Sequence, residues 1–176
     1  MKCCRMHDII RHLAIDKAEK ECFGKVYEGY ETLLAHRTRR LSITSTNTSS
    51  LNQSGETHLR AILVFKSFVD VDLLRSILGS SSLLSTLDLQ GTSIKILPDE
   101  VFSLLNLRFL GLRNTRIEVL PEAIGRLQNL EVLDAFNTGF LSLPKDVAKL
   151  KKLRYLYATK KIIEGPFLRY GGVKGA

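Results

Sequence analysis

Three consecutive lines of sequence decide the fold: LSTLDLQGTSIKILPDEVFSLLN (Leu84–Asn106), LRFLGLRNTRIEVLPEAIGRLQN (Leu107–Asn129) and LEVLDAFNTGFLSLPKDVAKLKK (Leu130–Lys152). Their opening leucines, Leu84, Leu107 and Leu130, continue at Leu153, each 23 residues after the last. Threonine recurs at Thr92, Thr115 and Thr138, and proline at Pro98, Pro121 and Pro144. Each unit places apolar residues at relative positions 1, 4 and 6, as in Leu84/Leu87/Leu89, Leu107/Leu110/Leu112 and Leu130/Leu133/Ala135. Positions 4 and 6 have strand spacing, with one face buried. The threonine then sits where its hydroxyl can satisfy a backbone group as the chain leaves the strand. Ile94, Ile117 and Phe140 turn inward again. The Leu-Pro pair follows, proline being suited to a tight bend or the first turn of a helix. Val101/Leu104, Ile124/Leu127 and Val147/Leu150 supply the apolar side of a short helical return. No such unit can bury its own leucines, so neighbours must stack. The expected fold is an α/β solenoid: a parallel strand ladder on one side, helical or 3₁₀ returns on the other.

This is the pattern of the leucine-rich repeat. A bundle of amphipathic helices is excluded, because proline would interrupt every helix of it. Outward from the regular units the register loosens. His58–Phe65 (HLRAILVF) supplies Leu59, Ile62 and Val64 at the same spacing, and Arg39–Ile43 (RRLSI) reads as an earlier strand. Between them, Thr44–Thr57 has the Ser/Thr/Asn composition of a loop. Beyond Leu153, LRYLYATKK begins a fourth unit that lacks Leu-Pro, and PFLRYGGVKGA closes the chain as a glycine-containing tail with no polar cap evident. The organisation expected is a helical segment over 1–37 and a repeat domain over 38–163, irregular to 82 and regular from 83. Residues 164–176 form the tail.

On each strand of such a ladder the residues between the leucines face away from the core. Those positions are Thr86, Asp88 and Gln90; Phe109, Gly111 and Arg113; Val132, Asp134 and Phe136; Tyr155, Tyr157 and Thr159. Four aromatic rings among charged neighbours, on a rigid frame, predict a surface that binds a protein partner or another domain of the same polypeptide.

Composition narrows the remaining classes. Apolar residues make up 44% and charged residues 25%, normal for a folded chain, and tryptophan is absent. The net charge of +8 favours acidic partners, nucleic acid or an anionic membrane. The basic residues are spread out, with HRTRR (His36–Arg40) the densest run, so no nucleic-acid reader is expected. Three cysteines, Cys3, Cys4 and Cys22, do not form a disulfide framework and suit a reducing compartment. The N-terminus has no apolar signal core and no run could span a bilayer, which predicts a cytoplasmic protein without a transmembrane segment. The sequons at Asn47 and Asn52 would matter only in a secreted protein. His7, His12, His36 and His58 stand near no recognisable nucleophile, and neither GxxxxGK nor GxGxxG occurs. No enzymatic activity is expected.

The opening stretch MKCCRMHDIIRHLAI raises a metal question, since it holds two cysteines and two histidines. The cysteines are adjacent rather than spaced as a zinc pair, and His7 and His12 are too far apart in helical phase to share a ligand. A helix is the simpler reading. Asp8 falls in its first turn, and Met6, Ile9, Ile10, Leu13 and Ala14 form an apolar stripe before DKAEKE turns polar.

The segment Cys4–Ala14, CRMHDIIRHLA, also resembles the "MHD" motif of plant nucleotide-binding leucine-rich-repeat (NLR) disease-resistance proteins of the coiled-coil type. In that family the motif directly precedes the repeats, and here the order is similar: motif, charged helix, strand, repeats. The repeats match the plant pattern LxxLxLxxTxIxxLP at Leu84–Pro98 and Leu107–Pro121, and the ending Gly171-Gly172-Val173-Lys174 is similar to a segment of cereal members. The resemblance implies a role in innate immunity, by recognition or by autoinhibitory docking. The partner would be a pathogen effector, a guarded host protein or the receptor's own nucleotide-binding domain. It also implies that His7, supported by Met6 and Asp8, is a relic of a contact to the phosphate of ADP. His12 stands where the family has aspartate. The nucleotide machinery lies upstream in the family, so this chain is expected to be a receptor fragment or truncated paralogue. It is expected to hold no cofactor, with ADP or ATP entering only if that upstream domain is present. The alternative is a generic intracellular repeat scaffold in signalling.

Overall fold

In a computed structural model, the structure describes residues 8–21, 23–27, 38–44, 57–65 and 68–159. Met6, His7, the three cysteines, the sequons and the tail from 164 all lie outside these residues, as does most of the expected loop after Thr44.

Seven strands form one parallel sheet in the order of the chain: β1 (Lys25–Tyr27), β2 (Arg40–Ile43), β3 (Ala61–Val64), β4 (Thr86–Asp88), β5 (Phe109–Gly111), β6 (Val132–Ala135) and β7 (Tyr155–Ala158). Register passes unchanged through the regular units, with Leu87 beside Leu110, Leu110 beside Leu133 and Leu133 beside Leu156. Position 4 of every unit therefore lies in one buried column. Leu84, Leu87, Leu89 and their counterparts in the next unit are fully enclosed, as the 1, 4, 6 spacing predicts. Ile94, Ile117 and Phe140 are buried too.

The return path is 3₁₀ helix in each regular unit: η1 (Asp99–Ser103), η2 (Glu122–Arg126) and η3 (Lys145–Lys149). Pro98, Pro121 and Pro144 stand immediately before them in extended conformation, so the fixed proline φ sets the entry to the turn. Tight i→i+3 bonds close each one, as from Leu104 N–H to Val101 O at 3.2 Å. Val101, Ile124 and Val147 point from them into the core. The threonines act as their position suggests. Thr92 Oγ1 donates to Leu89 O at 2.8 Å, Thr115 Oγ1 to Leu112 O at 2.7 Å and Thr138 Oγ1 to Ala135 O at 3.1 Å. The carbonyl at or just past the end of each strand thus gains a hydrogen-bond donor inside the fold.

Three features depart from the expected organisation. First, the ladder begins earlier, because β1 pairs with β2 from within the segment read as purely helical, and Tyr27 is almost wholly buried. Three residues are too short to show a period of two. Second, the irregular stretch returns through a full α-helix, α2 (Val71–Gly79), where the regular units use 3₁₀ turns. Asp70 caps it by accepting from Asp72 N–H at 2.9 Å and Leu73 N–H at 3.3 Å. Leu73, Leu74, Ile77 and Leu78 line its buried face. Third, the expected N-terminal helix is present as α1 (Asp8–Lys20), yet its apolar stripe is not part of the core. Ile9 is 73% exposed and Leu13 65%, while Ile15 and Ala18 are the half-buried side chains near the sheet.

Candidate protein-binding face

The residues that alternate with the buried leucines stand on the sheet in rows, because the register is constant. One row runs Arg40, Ala61, Thr86, Phe109, Val132, Tyr155. The next runs Val26, Ser42, Leu63, Asp88, Gly111, Asp134, Tyr157. A third continues past the strand ends, where Gly91 N–H donates to Arg113 O at 2.8 Å and Asn114 N–H to Phe136 O at 3.0 Å. It brings Gln90, Arg113 and Phe136 alongside, and Thr159 follows directly after β7. The turns that follow need the left-handed backbone of Gly91, Asn114 and Asn137.

All but one of the expected surface residues are accessible. Gln90 and Tyr155 are exposed, and Thr86, Asp88, Phe109, Arg113, Val132, Asp134, Phe136, Tyr157 and Thr159 are half-buried. Gly111 is the exception. It is buried, because the Asp88 carboxylate and the Phe109 ring close over it. Lacking a side chain, it offers the surface a floor rather than a contact.

The face is organised around charge and rings. Arg113 Nε donates to Asp134 Oδ2 at 2.9 Å, and its guanidinium carbon lies 4.9 Å from the centre of the Phe136 ring. Phe136 N–H donates in turn to Asp134 Oδ1 at 3.2 Å. The result holds one cation between a carboxylate and a ring face. Tyr155 and Tyr157 lie nearly parallel, with ring centres 6.5 Å apart. Asp88 accepts Gln90 N–H at 3.0 Å. Burial raises its pKa above the ordinary carboxylate value, the Gln90 hydrogen bond lowers it in part, and the negative charge of Asp134 raises it further.

The same rows extend to a region that the regular units do not reveal. Beside α1, a groove of about 460 Å³ is lined by Ala18, Phe23, Val26, Arg40, Leu63 and Phe65, among others. The Arg40 guanidinium lies 4.2 Å above the Phe23 ring. The signal for Arg40, Ser42 and Leu63 is the alternation of RRLSI and HLRAILVF. Phe23 and Val26 carry none, since β1 is so short. Of the residues tied to nucleotide, only Asp8 falls among those described, as the first residue of α1. Among the described residues no group of three His, Cys, Asp or Glu is placed to hold a metal ion. Nor is any helix among them long and apolar enough to cross a membrane.

Comparison with known proteins agrees with this geometry. The model of the leucine-rich repeat region matches residues 58–167, well over half of the chain. Two Arabidopsis thaliana proteins named as disease resistance proteins are similar, at 32% identity over 117 residues and 30% over 120, each alignment covering 61% of this chain. The chain spans only 12% and 13% of their lengths. Among solved structures, an internalin of Listeria monocytogenes aligns with a TM-score of 0.55 at 15% identity, over 80% of this chain and 48% of the internalin. Internalin C2 of the same organism gives 0.54 at 21%, over 70% and 53%. At such identities the likeness is one of fold.

Proposed function

The chain belongs to the leucine-rich repeat family, and on that premise we propose that it is the protein-recognition segment of a plant disease-resistance receptor. The observation that carries this reading is the strand face itself: Phe109, Phe136, Tyr155 and Tyr157 interleaved with Asp88, Arg113 and Asp134 on a sheet of constant register. Rigid aromatic anchors with fixed charges give affinity and selectivity at low entropic cost. The two Arabidopsis relatives support the plant-defence setting. The resemblance of Cys4–Ala14 to the MHD motif supports the finer reading, a nucleotide-switched receptor of the coiled-coil NLR type acting in the cytoplasm.

In that receptor the segment binds an effector or host protein, or restrains the nucleotide-binding domain by docking on it. It performs no catalysis and holds no cofactor of its own. Any phosphate contact by His7 belongs to the longer receptor. The test is made in the receptor that contains this segment, expressed in leaf tissue. Joint replacement Phe136→Ala/Tyr157→Ala is expected to change defence output, read as ion leakage and cell death, at equal protein level. Ser103→Ala/Arg126→Ala, in η1 and η2 on the opposite side, is expected to leave it unchanged. Equal behaviour of the two double variants would overturn the reading.

A further inference from the structure

The strand face contains a grouping of carboxylate, aromatic ring and cation, and a second place where the first two occur without the third. In the complete grouping, Arg113 is bonded to Asp134 and covered by the Phe136 ring. The carboxylate neutralises the guanidinium while the ring shields one of its faces.

Two strands back in the same row stands Asp88. Its carboxylate is folded down over Gly111, with the Phe109 ring at its side. A Cβ placed on Gly111 would collide with Asp88 Oδ1 and lie 2.9 Å from Phe109 Cε1. The missing side chain is therefore what lets acid and ring approach each other on the sheet. Asp88 accepts the Gln90 N–H, but among the described residues no cation pairs with it. A half-buried carboxylate without a counter-charge is held at a cost that an incoming cation relieves. The upward pKa shift from burial and from Asp134 expresses the same cost.

We propose that Asp88 and Phe109, seated over Gly111, receive the guanidinium of an arginine presented by the protein partner. The inference rests on the reading of this face as protein-binding, and it names one anchor of that partner. Arginine fits better than lysine because its planar head can stack on a ring while donating two hydrogen bonds to one carboxylate. The chain's own Arg113 already pairs with both kinds of group, donating one hydrogen bond to Asp134 and lying over the Phe136 ring. The net charge of +8 repels a strongly basic segment, so the partner presents a single cation among apolar neighbours. Val132 and Tyr155 continue the Phe109 row and supply the apolar surface for those neighbours.

The test uses the whole chain, isotope-labelled, titrated at physiological salt with acetyl-arginine methylamide and followed at the Asp88 carboxyl carbon and the Phe109 ring. Acetyl-citrulline methylamide, the neutral near-isostere, is the control. Saturable shifts at both residues are expected with the arginine probe, and binding about tenfold or more weaker with citrulline or in Asp88→Asn. Asparagine keeps the shape and the acceptor for Gln90 N–H, so that variant tests charge rather than folding. Phe109→Leu is expected to weaken the response as well. Equal response to both probes, insensitivity to Asp88→Asn, or no shift at Asp88 would overturn the proposal. Because the probe is not the partner, such a failure leaves the receptor-level effect of Phe136 and Tyr157 to be judged separately.

Discussion

Asp88 shows how much one residue of this surface can be read from physics. Its carboxyl holds its proton to higher pH in the folded chain than in the unfolded one, mainly through burial. The folded state therefore binds more protons between the two values, and stability falls as pH rises through that window. Below the ordinary carboxylate value the penalty is absent, and above the raised folded value it is complete. Asp88→Asn removes it. The variant is expected to gain in Tm relative to the parent near pH 7, and to lose that advantage near pH 3. An identical difference at both pH values would mean that burial of the charge is not felt. Gly111, the neighbour that allows this burial, is not legible as such in the sequence. Alternation places it on the open face, whereas its enclosure depends on two side chains from positions 88 and 109. The threonines are the opposite case: their role follows from position alone, because each needs only the carbonyl three residues earlier.

At the level of elements, each regular unit is one strand, one turn and one 3₁₀ return, and the leucines between them carry the stability. Leu110 sits in the middle of the buried column, paired in register with Leu87 and Leu133. Leu110→Ala is expected to cost about 2–5 kcal/mol in urea denaturation, since its packed neighbours cannot collapse onto the space. Leu141→Ala, at a side chain 82% exposed, is expected to stay within about 0.5 kcal/mol. A small effect at Leu110 would contradict the buried column. The regular units were readable because 23-residue self-similarity fixes type and register together. The earlier elements were less so. The cap at Asp70 and the apolar spacing of Leu73, Leu74, Ile77 and Leu78 mark α2, but no repeat register announces them. The exposed stripe of α1 shows that an amphipathic pattern identifies a helix without saying what covers it.

Over the whole molecule, stacking is close to one-dimensional, each unit contacting the next in chain order. Such a frame multiplies a simple pattern: three outward positions per strand become three long rows, so a partner docked on this face would touch several strands at once. In the reading proposed above, the open rows are what the fold offers to a protein partner. Their chemistry was legible where the units are regular, from Thr86 to Thr159. It was hidden near α1, where the rows run on through Leu63, Ser42 and Val26. Site-specific photocrosslinking in plant cells can show which side of the sheet meets a partner, with a benzoylphenylalanine at position 157 on the open rows or at position 103 on the opposite side. Discrete protein adducts at position 157 that are absent at position 103 are the predicted result. Adducts only at position 103, or the same adducts at both, would contradict the claim that the strand face is the recognition surface.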